Sequence, residues 1–179
     1  DDRTPVVSVI LSDLKCIAER REQLAVLILT HGHEDHLGAI PYLWSQIGRP
    51  IYGSAFTLAL LLRKLAESRG NFDIQLHEMG MNVPRQIGAF EVEMIALSHS
   101  IPDPAALVIR SDAGTILHTG AWKFDKTPTL GRDTDQSRLR AAGAAGVLAM
   151  VGDSSNAVVE GRAGSETDAQ QGRRAAMAP

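Results

Sequence analysis

A single cysteine, Cys16, stands in the 179-residue chain, so no disulfide can close within one copy. That usage fits a reducing compartment, and the cytoplasm is the expected location. Cys16 lies in an apolar-periodic segment and is expected to be a packed core thiol. Aromatic residues are scarce at 4%, and Trp44 reads as a core anchor rather than a base-stacking platform. Basic charge is not in excess. With 18 Lys and Arg against 21 Asp and Glu, net −3, the chain lacks the global basic footprint of a nucleic-acid binder, which leaves such binding to a local groove or to a domain outside the chain. No apolar run is long enough to span a bilayer, no stretch reads as a secretory signal, and no internal repeat is present. What remains is 44% hydrophobic and 22% charged residues, the composition of an ordinary soluble domain with one real core.

Against this background residues 31–36 stand out. The string His31-Gly32-His33-Glu34-Asp35-His36 holds three of the chain's six histidines, with an aspartate between the second and third. Imidazole and carboxylate are the ligands zinc accepts, usually four per ion. One tight loop thus offers two pairs of ligands, His31 with His33 for one ion and Asp35 with His36 for a second beside it. Two metals about 3.5–4 Å apart typically activate water for hydrolysis, often of phosphate esters.

The surrounding pattern places this loop. Residues 6–11 are β-branched and read as a strand. Ser12 and Asp13 can cap a helix to about Glu22, with Leu14, Ile17 and Ala18 on one face and Arg20, Arg21 and Glu22 solvated. Residues 24–29 form a continuous apolar run of strand length, as in a strand buried on both faces. The histidine string follows it, at the carboxyl end where open α/β sheets place ligands. Helical spacing over 36–47 ends at Gly48. A short strand follows at 50–52, then a helix capped by Ser54 that runs to Gly70. His77, in the polar stretch beyond, has no ligand-spaced neighbour and reads as a surface residue. Residues 88–97 predict a strand with Phe90, Val92, Met94 and Ala96 on one side. Two more strands, 105–110 and 115–119, flank the turn Ser111-Asp112-Ala113-Gly114. A helix over 135–142 and a strand over 147–151 complete the pattern.

The motif His31-x-His33-x-Asp35-His36 resembles the signature of the metallo-β-lactamase superfamily. The longer string from His31 to Trp44 (HGHEDHLGAIPYLW) is similar to its beta-CASP nuclease branch, and within that to the ribonuclease J family. Further strings agree: Ser98-His99-Ser100-Ile101-Pro102-Asp103, then Ile109-Arg110, then His118-Thr119-Gly120, and Gly152-Asp153-Ser154-Ser155-Asn156 where the family has D-S-T-N. The resemblance runs from about residue 24 to 166. It implies that His99 is a third ligand of the first ion, with His31 and His33. It also implies that Asp153 orients a histidine from the beta-CASP domain that protonates the leaving group. Asp35 and Asp153 are thus the expected catalytic carboxylates. Locally, Asp153-Ser154 could equally cap a turn.

One position departs from the family. His118-Thr119-Gly120-Ala121-Trp122-Lys123-Phe124-Asp125 resembles H-T-G-D-x-K-x-D, in which the aspartate after the glycine bridges both ions. Here it is Ala121, and a methyl group cannot coordinate metal. Two adjacent dications repel, and a shared anion makes their proximity tolerable. The second site, left with Asp35 and His36, is expected to fail first. His31, His33 and His99 would remain for one Zn2+, so the family's two ions become one or none. Ala121 reads either as an inactivating change or as divergence into a non-catalytic relative.

The resulting expectation is an α/β fragment of a metallo-β-lactamase fold, a mixed sheet with flanking helices of αββα type. Residues 1–160 form a partial metallo-β-lactamase domain, and 161–179 begin the beta-CASP region or form a disordered tail. The family's opening strands, beta-CASP domain and closing half-domain are expected to lie outside the chain. The implied activity is metal-dependent hydrolysis of RNA phosphodiesters, impaired by Ala121 and truncation, with RNA as partner and a homo-oligomer in the full-length family. The alternatives are a non-catalytic RNA-binding or subunit-interaction relative, and a small-molecule metallo-hydrolase of the same superfamily.

Overall fold

The computed structural model describes residues 10–68, 70–161 and 163–177. Its strands form two sheets. The first is all parallel, in the order β1 (Leu27–Ile28), β2 (Ile51–Gly53) and β3 (Leu76–Glu78). The second runs β4 (Arg85–Ile87), β5 (Phe90–Ala96), β6 (Ala105–Ser111), β7 (Gly114–His118) and β8 (Ala149–Val151). It is antiparallel up to β7, and β8 lies parallel to β7. The helices are α1 (Lys15–Ala18), α2 (Glu34–Leu37), α3 (Ile40–Ile47), α4 (Ala55–Glu67), α5 (Gln136–Ala144) and α6 (Glu166–Ala176). Parallel strands cannot be joined by tight turns; α2 and α3 carry the chain from β1 to β2, and α4 carries it from β2 towards β3.

Alternation along the strands builds the layers. Leu27 and Leu29 point to the helices, joining Leu37, Ile40, Trp44, Ile51, Leu58, Leu61 and Leu65 in one core. Val26 and Ile28 point the other way, into a second core between the sheets with Val92, Met94, Ala105 and Leu107. On the far side of the second sheet, Ile95, Leu97, Ala106 and Val108 meet Leu139 and Ala142 of α5. Three cores separate four layers, helix, sheet, sheet and helix, the αββα arrangement expected from the resemblance. The run at 24–29 thus packs on both faces, as its unbroken hydrophobicity predicts, although only Leu29 is fully buried and Ala25 is exposed.

Local chemistry explains several element ends. Ser54 Oγ accepts the N–H of Thr57 at 3.2 Å and caps α4, which satisfies one of the free donors of its first turn. Gly48 ends α3 in the left-handed region at φ 58°, its N–H bonded to Trp44 O, a conformation that favours glycine. The β6–β7 hairpin closes on the pair Ser111–Gly114, with Gly114 at φ 132°.

Some expectations are corrected. The helix expected over 13–22 is only α1 and a 3-10 turn at Arg21–Gln23, with no buried residue in either. Too few apolar side chains share a face there to hold a longer helix by packing, and Cys16 is exposed rather than a core thiol. The strand expected at 6–11 falls mostly outside the described residues, and Ile10 and Leu11 are exposed. The polar stretch after α4 contains β3 and β4. His77 lies on β3, stacked on Tyr52 with ring centroids 4.7 Å apart. Phe90 is exposed at the start of β5. The opposite face of that strand is buried too and includes Glu93, whose carboxylate takes Arg110 Nη2 at 3.1 Å and Arg138 Nη1 at 2.5 Å. Within 161–179, expected as the start of the beta-CASP region or a disordered tail, residues 166–176 form α6, which corrects the expectation of disorder there. Ser165 and Asp168 make a reciprocal capping box at its start, which supplies the local order that the polar composition did not suggest.

Candidate metal centre

Pairing directions bring four chain segments to one edge of the molecule. β5 and β7 both run antiparallel to β6, and β8 runs parallel to β7, so the carboxyl ends of β5, β7 and β8 coincide. The segment after β1 joins them through the Ala105 N–H, which donates to Thr30 O at 3.0 Å. Gly120 sits in the left-handed region at φ 58°, and a Cβ there would come within 3.0 Å of Thr30 Cβ and 3.2 Å of Ala105 O. Glycine at this point lets the segment after β7 close on the segment after β1.

His31, His33 and His99 meet at that edge, with one ligand atom from each lying within 4.8 Å of the others. His99 Nε2 is 3.1 Å from His33 Nδ1. His31 is fully buried. Its Nδ1 lies 3.0 Å from Thr30 Oγ1, while its Nε2 is buried with no hydrogen-bond partner among the described residues. With Nδ1–H donating to Thr30, Nε2 presents a lone pair to the other two rings, which is the tautomer a metal requires. A buried, unpaired polar nitrogen is costly, and a cation between the three rings would satisfy it. The donor set therefore fits a divalent ion.

The electrostatics favour the neutral form of His31 and His99. Burial, then the neighbouring His36, His33 and His99, push the His31 pKa down to about 3. Burial and His33 also lower that of His99, opposed by the Asp153 carboxylate. Neutral imidazole is the form that coordinates.

Asp35 and His36 lie beside this cluster. The His36 ring is 4.0 Å from the His31 ring, and its Nε2 is 3.5 Å from Asp35 Oδ2. Both line a cleft of about 220 Å³ with His118, Gly120, Ala121, Gly152, Asp153 and Ser155. Ala121 thus presents a methyl group where this cleft meets Asp35 and His36. Asp153 Oδ1 accepts from Ser155 N at 2.9 Å and from Ser155 Oγ at 2.5 Å. The Ser155 side chain, with its backbone, holds the carboxyl below its ordinary value. The turn-capping arrangement is therefore present, and the carboxylate still faces the cleft. Asp125 does not reach the cleft; its oxygens take Thr127 N, Glu166 N and Lys123 Nζ instead. Sequence alone assigns no role to Thr30, His118 or Ser155, although the last two fall within the quoted motifs. Thr30 precedes the histidine string directly, but its bond to His31 depends on the rotamer packed under Gly120, which no spacing rule reveals.

The comparisons agree with this geometry. Residues 7–144 match the beta-lactamase superfamily domain. The chain is 46% identical over 90% of its length to ribonuclease J of Sinorhizobium meliloti and 41% identical over 92% to ribonuclease J of Mycobacterium tuberculosis. It spans about 29% of the length of each. Among solved structures, a HARLDQ-motif mutant of the metallo-β-lactamase from Cronobacter sakazakii superposes with a TM-score of 0.54 at 14% identity, covering 92% of this chain and 67% of that one. From its layered sheets, its histidine edge and the extent of that domain match, the chain belongs to the metallo-β-lactamase superfamily.

Proposed function

We propose that this chain is the metal-bearing part of a ribonuclease J-type RNA phosphodiesterase. The observation that carries this reading is the buried His31 Nε2, without a hydrogen-bond partner among the described residues and facing His33 and His99, in a chain 46% identical to a ribonuclease J. His31, His33 and His99 would hold one divalent ion, zinc by the preference of three imidazoles, and Asp35 with His36 would face a second. Such an ion supplies Lewis acidity and lowers the pKa of water. The protein's own residues do the rest. Thr30 Oγ1 is placed to accept the His31 Nδ1–H, burial favours the neutral form of His31 and His99, and Asp153 presents a carboxylate held by Ser155 across the cleft. With Ala121 in the cleft, the second position lacks a carboxylate between Asp35 and His36, so turnover by this chain is expected to be weak or absent. That same feature favours a second reading, a relative that binds RNA without cleaving it.

The test pairs Zn2+ titration with activity. About one equivalent should bind tightly and be lost in His31→Ala. Hydrolysis of an RNA oligonucleotide, measured beside thioester and lactam substrates, separates the readings. Turnover of a thioester or lactam with none of RNA would overturn the ribonuclease assignment. RNA binding that persists in chelator without turnover would support the non-catalytic relative.

A further inference from the structure

Behind His99 lies a polar assembly that the metal site itself does not use. Ser98, the residue before His99, is buried and bonded on every polar group. Its N–H donates to Thr134 Oγ1 at 2.8 Å, and its carbonyl accepts Lys123 N–H at 2.9 Å. Its hydroxyl lies 2.9 Å from Thr134 Oγ1 and 3.4 Å from Asp125 O. The segment from Lys123 to Thr134 that supplies these partners has almost no regular structure, so its shape depends on side chains. The central one is Asp125, 7% exposed. It accepts Thr127 N at 2.9 Å through Oδ1, and Glu166 N at 2.7 Å through Oδ2. Lys123 Nζ stands 3.3 Å from Oδ2 and 3.1 Å from Glu166 Oε1. Thr167 Oγ1 donates to Thr127 O at 2.8 Å. The first turn of α6 is therefore bolted to the strip that holds the backbone of Ser98, the residue before His99.

We propose that Asp125, together with Lys123 and Glu166, is a positioning group for His99, so that docking of α6 and affinity of the metal site rise and fall together. The inference rests on the metal reading above. The chain of contacts is continuous: α6 N-terminus, Asp125, the Lys123–Thr134 strip, Ser98, His99. A ligand held by a loop loses affinity when that loop gains freedom, and groups acting behind a ligand typically affect metal binding by about 10–100-fold. Coupling is reciprocal. An ion that fixes His99 must also favour the docked state of α6, and release of α6 must weaken the site. The electrostatics agree. The N–H groups of Thr127 and Glu166, with Lys123, hold the Asp125 carboxyl below its usual value. Burial works against the Lys123 ammonium, but Glu166 and Asp125 more than offset it and hold its pKa above the ordinary value.

The test uses Co2+, whose visible absorption reports the ligand set, on the 179-residue chain and on Asp125→Asn and Glu166→Ala. We expect Asp125→Asn to weaken Co2+ binding about 10–100-fold and to alter the band shape, with a smaller loss in Glu166→Ala. In the unsubstituted chain Co2+ should slow hydrogen exchange of the amides at 166–176, and in Asp125→Asn it should not. Glu166 lies outside the three cores, so its variant carries the test if Asp125→Asn does not fold. Variants that fold and match the unsubstituted chain in affinity, spectrum and exchange would overturn the positioning role alone. An unsubstituted chain that takes up no Co2+ would overturn the metal reading and this inference with it.

Discussion

In the metal-free protein the His31 imidazole stays neutral down to about pH 3, whereas in the unfolded chain it titrates near 6.5. Between these values the unfolded state binds a proton that the folded state refuses. Stability should therefore rise with pH across that window, be complete above it, and fall as pH drops, by at most about 1.4 kcal/mol per pH unit for one proton. Urea midpoints from pH 7 to 4 in chelator check this, and His31→Gln should flatten the slope. At position 121 the expectation runs towards gain. Ala121→Asp would place a carboxylate in the cleft with Asp35 and His36, raising the Zn2+ stoichiometry from one towards two and the affinity about tenfold or more, each decade representing about 1.4 kcal/mol. Calorimetric titration of both forms decides it, and identical isotherms would mean that residue 121 does not serve the ions. At this scale the histidine string was legible because six consecutive residues held three imidazoles. Thr30 and the Asp125 assembly were not, because each acts through a fold-dependent contact between residues unremarkable in sequence.

Elements were legible where one chemistry dominated. The two-sided packing of β1 follows from an unbroken apolar run, and α4 follows from Ser54 and its leucine stripe. Leu61 is fully buried in that stripe, so Leu61→Ala should destabilise by about 2–5 kcal/mol, read from urea unfolding. The β3 and β4 strands were hidden because they are three residues each and mostly polar, held by pairing rather than by their own pattern. Glu93 was equally hidden, since β5 looked one-sided from Phe90, Val92, Met94 and Ala96. Its ion pairs tie β5 to β6 and α5. Glu93→Ala leaves both guanidinium groups without it and should cost about 1.5–3 kcal/mol, the worth of a hydrogen bond to a charged group. A matched unfolding midpoint would show that water replaces the carboxylate without loss.

For the whole molecule, the outer edge of the second sheet is the open question of assembly. No residue of β8 is buried. Leu148, Met150 and Val151 are exposed beside Ile116, no further strand pairs with β8 among the described residues, and such an edge with apolar side chains promotes association. The chain should form oligomers or lose solubility at high concentration, and Met150→Lys should shift sedimentation towards the monomer. A clean monomer with a cooperative melt would show that this edge is tolerated as it is. The fold class was legible at this scale because the motifs carried it, while the identity of the exposed edge depended on which strand came last in the sheet. The buried carboxylate of β5 has one further consequence. Glu93 pairs in register with Val108, and its neighbours Val92 and Met94 are apolar. A slip by one residue would drive that carboxylate between the sheets, among Met79 and Leu107, away from Arg138, and would exchange the two faces of the strand. Glu93 thus acts on folding as a proofreader, rejecting alignments that hydrophobicity alone would accept.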